Sequence, residues 1–468
     1  MFNLLAIPSG TVTAPAGCGK TQLIADALLH HRSGKPILVL THTNAGVAAL
    51  RSRLDRAGVS GSVYRLSTID GWAMRLISTF PMRSGHDPAI LDLATPRTDY
   101  PAIRRAAWTL LKAGHLSDAL KASYERLIVD EYQDCSVPQH AIVYYAAQVL
   151  PTCVLGDPMQ AIFGFGEPLA DWNEHVCTHF PCVGELTIPW RWKNAGTDEL
   201  GEWLLYVRHL LVMKQPVDLK LAPKHVRWIH MDGSEDHERR LKAARTDAPN
   251  ADGRVLIIGD SISPSGQRRF ASQTPGAITV ESVDMRDLVS FAKSFDLTAA
   301  NAVNVLVEFA EEVMTNVGGS DLLKRLETIK RRTNRKTPTE AEGAALRFTD
   351  APSYDLAIDL LVEIGKQPGV RTHRPSVLQA CVRTMRQCCS QNAPKLYDAA
   401  IAVREQNRIL GRPLPRRGVG STLTLKGLEA DVAVILDTTR MDANNLYVAM
   451  TRGSRSLIVC SPNHLLTP

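Results

Sequence analysis

The stretch TVTAPAGCGKT, residues 11–21, decides how the chain is read. Thr11–Thr13 is a β-branched run of strand type. Gly17 and Gly19 let the backbone curl so that its amides point at phosphate oxygens, and Lys20 and Thr21 open an amphipathic stretch carrying Leu23, Ile24, Ala27 and Leu28. Strand, glycine loop and helix in that order make a nucleotide-triphosphate loop. Ala14 stands where the strict pattern has its first glycine, so Ala14, Gly17, Cys18, Gly19, Lys20 and Thr21 are the expected nucleotide-binding set. Cys18 reads as a small neutral spacer whose thiol, if exposed, would make turnover sensitive to alkylation.

Outward from this loop, aliphatic runs recur at Ile37–Leu40, Leu127–Val129, Cys153–Leu155, Val255–Ile258, Val432–Leu436 and Leu457–Val459, with stretches of helical length between them. That alternation predicts an α/β fold of parallel sheets wrapped by helices, and two groups of strands predict two such domains. The first domain is expected over 1–184 with a small helical insertion at about 80–122, the second over 185–295 plus 401–468. Between them 296–400 loses its strand signal, while Leu306, Phe309, Ala310 and Val313 recur on one helix face, which predicts a helical insertion. GRPLPRRGVG, 411–420, reads as a loop re-entering the sheet.

The chain has 468 residues, 44% hydrophobic and 22% charged, with a net charge of +6. That is an ordinary globular composition with a modest basic excess suited to a polyanionic partner. Nine cysteines without a tight framework argue against a secreted disulfide scaffold, and no apolar stretch reaches the ~20 residues that span a bilayer, so a cytoplasmic protein without a membrane partner is expected. In RLIVDEYQD, Asp130 and Glu131 follow a strand-like run, where one carboxylate can hold Mg²⁺ near phosphates and its neighbour can activate water.

Further signatures follow the acids in order. DEYQD at 130–134, VLGDPMQAIFGF at 154–165, KGLEAD at 426–431 and YVAMTRG at 447–453 together resemble the superfamily 1 DNA helicases of the UvrD/Rep/PcrA type. ILVLTHTNAGVAALRSRL at 37–54, STIDGWA at 67–73 and LTIPWRW at 186–192 are similar to their motifs Ia, Ib and IV. The resemblance implies two tandem RecA-like P-loop domains with helical insertions, and ATP and Mg²⁺ as cofactors. It also implies Lys20 on the β/γ-phosphates, Thr21 and Asp130 on Mg²⁺, Glu131 as base, Gln160 as γ-phosphate sensor and Glu429 near the ribose. Arg191 and Arg452 would then stabilise the transition state, reaching the phosphate from the second domain as the two close on ATP. Thr43, Asn44, Thr68, Phe163, Phe165 and Trp190 become nucleic-acid contacts by the same resemblance, and Trp192 a further candidate. The implied partner is single-stranded DNA with a duplex junction, the implied activity 3′→5′ translocation or unwinding. A separate nuclease is a further expected partner, as in bacterial anti-phage systems such as Gabija.

Several features depart from that pattern. Asp70 and Leu423 stand where the family has histidines, and Phe165 and Gly166 where it has Trp and Arg, which removes strand contacts. Only thirteen residues precede Ala14, too few for the adenine-reading glutamine motif. KRLETIKRRTNRK, 324–336, carries seven Lys/Arg and reads as a solvated helix face or a nucleic-acid contact. HVCTHFPC, 175–182, resembles a zinc knuckle, but its separations are tighter than structural zinc sites use. Two alternatives stay open: an RNA helicase of the same superfamily, and a nucleotide-switched ATPase that docks a partner without motor activity. Oligomeric state is not readable.

Overall fold

In a computed structural model of the protein, residues 2–164, 167–390, 393–410 and 415–468 are described. The chain forms two compact units, Met1–His230 with Thr438–Pro468, and Met231–Asp437. Its architecture is α/β, with two parallel six-stranded sheets.

The first sheet consists of β1 (Ser9–Thr13), β2 (Ile37–Thr41), β3 (Tyr64–Thr68), β4 (Leu127–Val129), β5 (Thr152–Gly156) and β6 (Cys182–Glu185), in the order β3-β2-β4-β5-β1-β6. Every pairing in it is parallel. Successive side chains of a strand point to opposite faces, and here they feed two separate cores. Ile37, Val39, Ile128, Cys153 and Leu155 pack with Leu23, Ile24, Leu28, Leu50 and Leu54 on one face. Leu38, Leu40, Leu127, Val129 and Val154 pack with Ile69, Trp72, Ile77, Ile103 and Leu110 on the other. Burial on both faces is why β2, β4 and β5 read as continuous apolar runs rather than alternating ones.

The helices that follow three of these strands are α1 (Lys20–His30), α2 (Asn44–Arg56) and α3 (Ile69–Thr79). In the first unit Val226–His230 also pairs in parallel with Gly453–Ser461. In the second, Ile278–Thr279, Arg417–Gly420, Val255–Ile258 and Ala430–Ile435 lie side by side in that order, again parallel. The piece read as a re-entrant loop thus ends in a strand, and residues 411–414 of it lie outside the described residues. Its glycines fit close quarters: a Cβ at Gly420 would lie 2.4 Å from Thr424 Oγ1, and one at Gly418 2.8 Å from Pro415 Cγ.

Helices between Arg286 and Leu410 share one apolar core in which Leu306, Phe309, Ala310 and Val313 are all buried, together with Phe348, Leu361 and Val377. A two-residue antiparallel ladder, Met314–Thr315 with Arg371–Thr372, interrupts the helices, a feature too short to leave a sequence signal. Among the described residues no helix is long and apolar enough to cross a membrane.

The zinc-like segment is occupied by ring packing. His140 Nε2 lies 2.8 Å from His179 Nδ1, His140 Nδ1 lies 2.9 Å from the Tyr132 hydroxyl, and the His175 ring stands at 6.2 Å. Burial, with His179 and His175 nearby, holds the His140 imidazole down from 6.5 to about 4. Because that folded-state value is depressed, the unfolded chain takes up the proton first, and stability present above pH 6.5 is lost as pH falls toward 4. His373 in the second unit, also held down to about 4 by burial, acts in the same window. The thermal midpoint should therefore drop across this window, and His140→Gln should flatten the pH dependence without abolishing it, as read by calorimetry at several pH values.

Candidate functional site

The glycine loop runs from the end of β1 to the start of α1. Ala14 N donates to Gly156 O at 2.8 Å, which ties the loop to the neighbouring strand β5. Gly17 and Gly19 have φ of +72° and +91°, a left-handed backbone that side chains disfavour. Packing imposes the same choice: an added Cβ would meet Trp192 Cζ3 at 2.5 Å from Gly17, and Trp190 Cδ1 at 3.1 Å from Gly19. Gly19 caps α1 without any side-chain hydrogen bond of its own, at a helix N-terminus, where backbone amides favour an anion.

Lys20 opens α1 and reaches both acids of the DEYQD run. Its Nζ lies 2.9 Å from Asp130 Oδ1 and 2.7 Å from Glu131 Oε1. Burial opposes the charge on Lys20, and the two carboxylates overcome that cost, holding the ammonium above its usual range. Burial pushes the Asp130 carboxyl up, against the pull of Lys20. One ammonium faces two acids, so Lys20 is the member whose protonation is secure. Glu131 sits at φ +55°, a strained conformation of the kind that clusters at functional sites. Its Oε2 accepts from Gln133 Nε2 at 2.5 Å, and Gln133 Oε1 accepts from Asp157 N at 3.1 Å. Gln160, expected as the phosphate sensor, donates from Nε2 to Asp157 Oδ2 at 3.1 Å.

The two arginines expected to come from the second domain both belong to the compact unit of the phosphate loop. Arg191 N donates to Gly17 O at 3.0 Å, and its guanidinium donates to Thr451 O at 2.5 Å. Arg452 is buried, with Nε on Val448 O at 2.7 Å and Nη2 on Thr451 Oγ1 at 3.1 Å. Tyr447, on the helix Ala443–Met450, accepts from Ala16 N at 3.1 Å. The segments carrying LTIPWRW and YVAMTRG are therefore joined to the glycine loop by direct hydrogen bonds. Glu429 is exposed in the other unit, just before the strand Ala430–Ile435.

The expected strand contacts separate into two places. Thr43 and Thr68 cap α2 and α3, accepting from Gly46 N at 3.0 Å and Gly71 N at 2.9 Å, and Asn44 begins α2. Because β2 and β3 are adjacent, with Thr41 opposite Thr68, these two helix N-termini lie side by side. Phe163 packs at 5.7 Å from the His42 ring, near α2. Trp190 lies instead over Gly19, 40% exposed, with Lys193 Nζ 5.8 Å from its ring centre. Trp192 is buried against Gly17 and donates from Nε1 to Gly453 O at 2.9 Å, so its ring has no face to offer a base. Phe165 and Gly166 lie outside the described residues. Asp70, which stands in place of a histidine, is held by Arg104 at 2.7 and 2.6 Å and by Gln139 at 3.1 Å, and Arg104 also binds Glu167 at 2.6 Å. Leu423 is half-buried in the short helix Thr422–Leu425. Tyr447 and Asp157 contribute although nothing within the quoted signatures singles them out, and so does Arg208, whose Nη2 donates to Asp157 Oδ1 at 2.9 Å from the helix Asp198–Val212, which carries no signature.

Among known proteins, residues 92–169 match the sequence model of the UvrD/REP helicase N-terminal domain, a stretch that includes Asp130, Glu131, Gln160 and Phe163. No curated protein matches the chain. Two solved chains of Arterivirus nonstructural protein 10 (helicase) are similar. The one solved with DNA is 14% identical over 55% of this chain and 49% of that chain, at a TM-score of 0.28. The other is 11% identical over 98% of this chain and 61% of that chain, at 0.31. This chain thus spans about half to three-fifths of the length of those it matches. Likeness this distant carries no weight for function.

Cys18 is buried, and burial with Asp157 close by pushes its thiol up to about 12. Iodoacetamide at neutral pH should therefore leave Cys18 unlabelled in the folded chain and label it in urea, as peptide mass mapping reads out. Tyr447→Phe orphans the Ala16 amide, which should cost about 1–3 kcal/mol in thermal or urea unfolding.

Proposed function

We propose that the chain is a compact superfamily 1 motor that hydrolyses ATP and uses it to move on single-stranded DNA. The observation that carries this reading is Lys20 held between Asp130 and Glu131 at the mouth of a glycine loop. In it, the loop amides and Lys20 bind the β- and γ-phosphates, and Lys20 exchanges its carboxylate partners for phosphate oxygens. That exchange frees Glu131 to take a proton from the attacking water, with Gln133 fixing the carboxylate's orientation. Thr21 and Asp130 offer the hard oxygen donors that suit Mg²⁺, which when bound supplies Lewis-acid charge to the phosphates. Arg191 and Arg452 add positive charge for the transition state.

The strand track in this reading lies at the capped N-termini of α2 and α3. Thr43, Asn44, Thr68 and the backbone amides beside them grip phosphates without regard to sequence, and Phe163 offers a ring face. Trp190 stands beside the phosphate loop, which suits stacking on the base of the nucleotide better than on the strand. Two RecA-like domains, over 1–184 and over 185–295 with 401–468, would form the motor, with 296–400 inserted. Glu429 near the ribose, 3′→5′ polarity and a separate nuclease partner belong to the same reading through the helicase resemblance.

One observation favours the nucleotide-switch alternative. Asp70 is committed to an ion pair with Arg104, so that part of the strand track is spent on structure. ATP turnover with and without an unstructured DNA oligonucleotide, and with RNA of the same length, separates the readings. DNA should stimulate turnover, and Lys20→Ala or Glu131→Gln should abolish it, by about 10²-fold or more. Stimulation by RNA alone overturns the DNA assignment, and turnover indifferent to either polymer overturns the motor.

A further inference from the structure

The helix Asp198–Val212 carries a guanidinium that no signature in the sequence points to. Arg208 donates from Nε and Nη2 to Asp157 Oδ1, at 3.0 and 2.9 Å, and from Nη1 to Glu185 Oε1 at 2.8 Å. Asp157 is fully buried and is the hub of a hydrogen-bond network. Its Oδ1 also accepts from Met159 N at 3.2 Å, its Oδ2 accepts from Gln160 Nε2 at 3.1 Å, and its own N–H binds the same Gln133 that holds Glu131. An unbroken chain of hydrogen bonds therefore runs from Arg208 through Asp157 to both the sensor amide and the water-activating acid. Arg208 and Asp157 are also close enough to perturb the thiol of Cys18 within the glycine loop.

We infer that Arg208 is a positioning residue for ATP hydrolysis: its grip on Asp157 fixes the orientation of the Gln160 amide and of the Gln133–Glu131 link. The inference rests on the ATPase reading above and adds a residue to it. Nε–H and Nη2–H converge on Oδ1 and leave Oδ2 for Gln160, so the two oxygens are held by different partners and the carboxylate's rotation is set. A lysine would offer one point charge without that directionality. Were the pair only structural, losing it would lower stability and leave turnover per folded molecule as it was.

The test is steady-state ATP turnover of the full chain alongside thermal unfolding, for the wild type, Lys20→Ala, Arg208→Lys, Arg208→Gln and the double variant Arg208→Met/Asp157→Asn. The expected result is a fall in kcat of about tenfold or more for Arg208→Gln with KM within about twofold, and partial recovery in Arg208→Lys. Arg208→Gln strands a buried carboxylate and should lower the thermal midpoint, whereas the double variant carries no buried charge and should regain the midpoint but not kcat. A double variant that regains kcat together with the midpoint overturns the inference, as does wild-type kcat in folded Arg208→Gln. A wild type with no turnover dependent on Lys20 overturns the inference along with the ATPase reading, whereas Lys20-dependent turnover beside an unaffected Arg208→Gln overturns the inference alone.

Discussion

A single ammonium between a buried carboxylate, Asp130, and a partly exposed one, Glu131, organises the first unit. Lys20 is the first residue of α1, and Asp130 and Glu131 leave the end of β4. For the three groups to meet, β1 and β4 must flank β5 in one parallel sheet, and α1 must start where β1 stops. Taking these charges out of water is expensive, and only their mutual attraction makes the arrangement tolerable. The left-handed backbone at Glu131 and the hydrogen bond its carboxylate accepts from Gln133 are part of holding that geometry.

Much of this was legible before any coordinates. β2, β4 and β5 declare themselves because burial on both faces makes them continuous apolar runs, and the glycine loop because few backbones other than a phosphate cradle need two such glycines ahead of Lys20. The helical region announces itself by the 3.6-residue rhythm of Leu306, Phe309, Ala310 and Val313. What stayed hidden has physical reasons. β6 is a mostly exposed edge strand with a register shift opposite Thr11 and Val12, and Arg417–Gly420 is half glycine, so neither shows strand composition. Arg208 was invisible because a lone cation on an amphipathic helix looks like any solvated one, and its importance comes entirely from what Asp157 does across 51 residues of sequence.

Asp70, which departs from the helicase pattern, is explained by its neighbours. Asp70 is not a weakened strand contact but one side of a network in which Arg104 also holds Glu167, and Ser136 Oγ donates to that glutamate at 2.9 Å. The helix Pro96–Lys112 is thereby tied to the start of α3 and to the segment after Phe163. A histidine at 70 would meet that guanidinium as a like or neutral group and leave it half satisfied. The substitution and the helix carrying Arg104 belong together.

The indoles lying over Gly17 and Gly19 give the loop an intrinsic optical label. Trp190 is half in solvent and Trp192 is sealed, so the two rings sample different polarity within a few ångströms of one backbone turn. Phosphate entering that turn would alter the surroundings of the wet ring first, making its emission a dye-free gauge of occupancy.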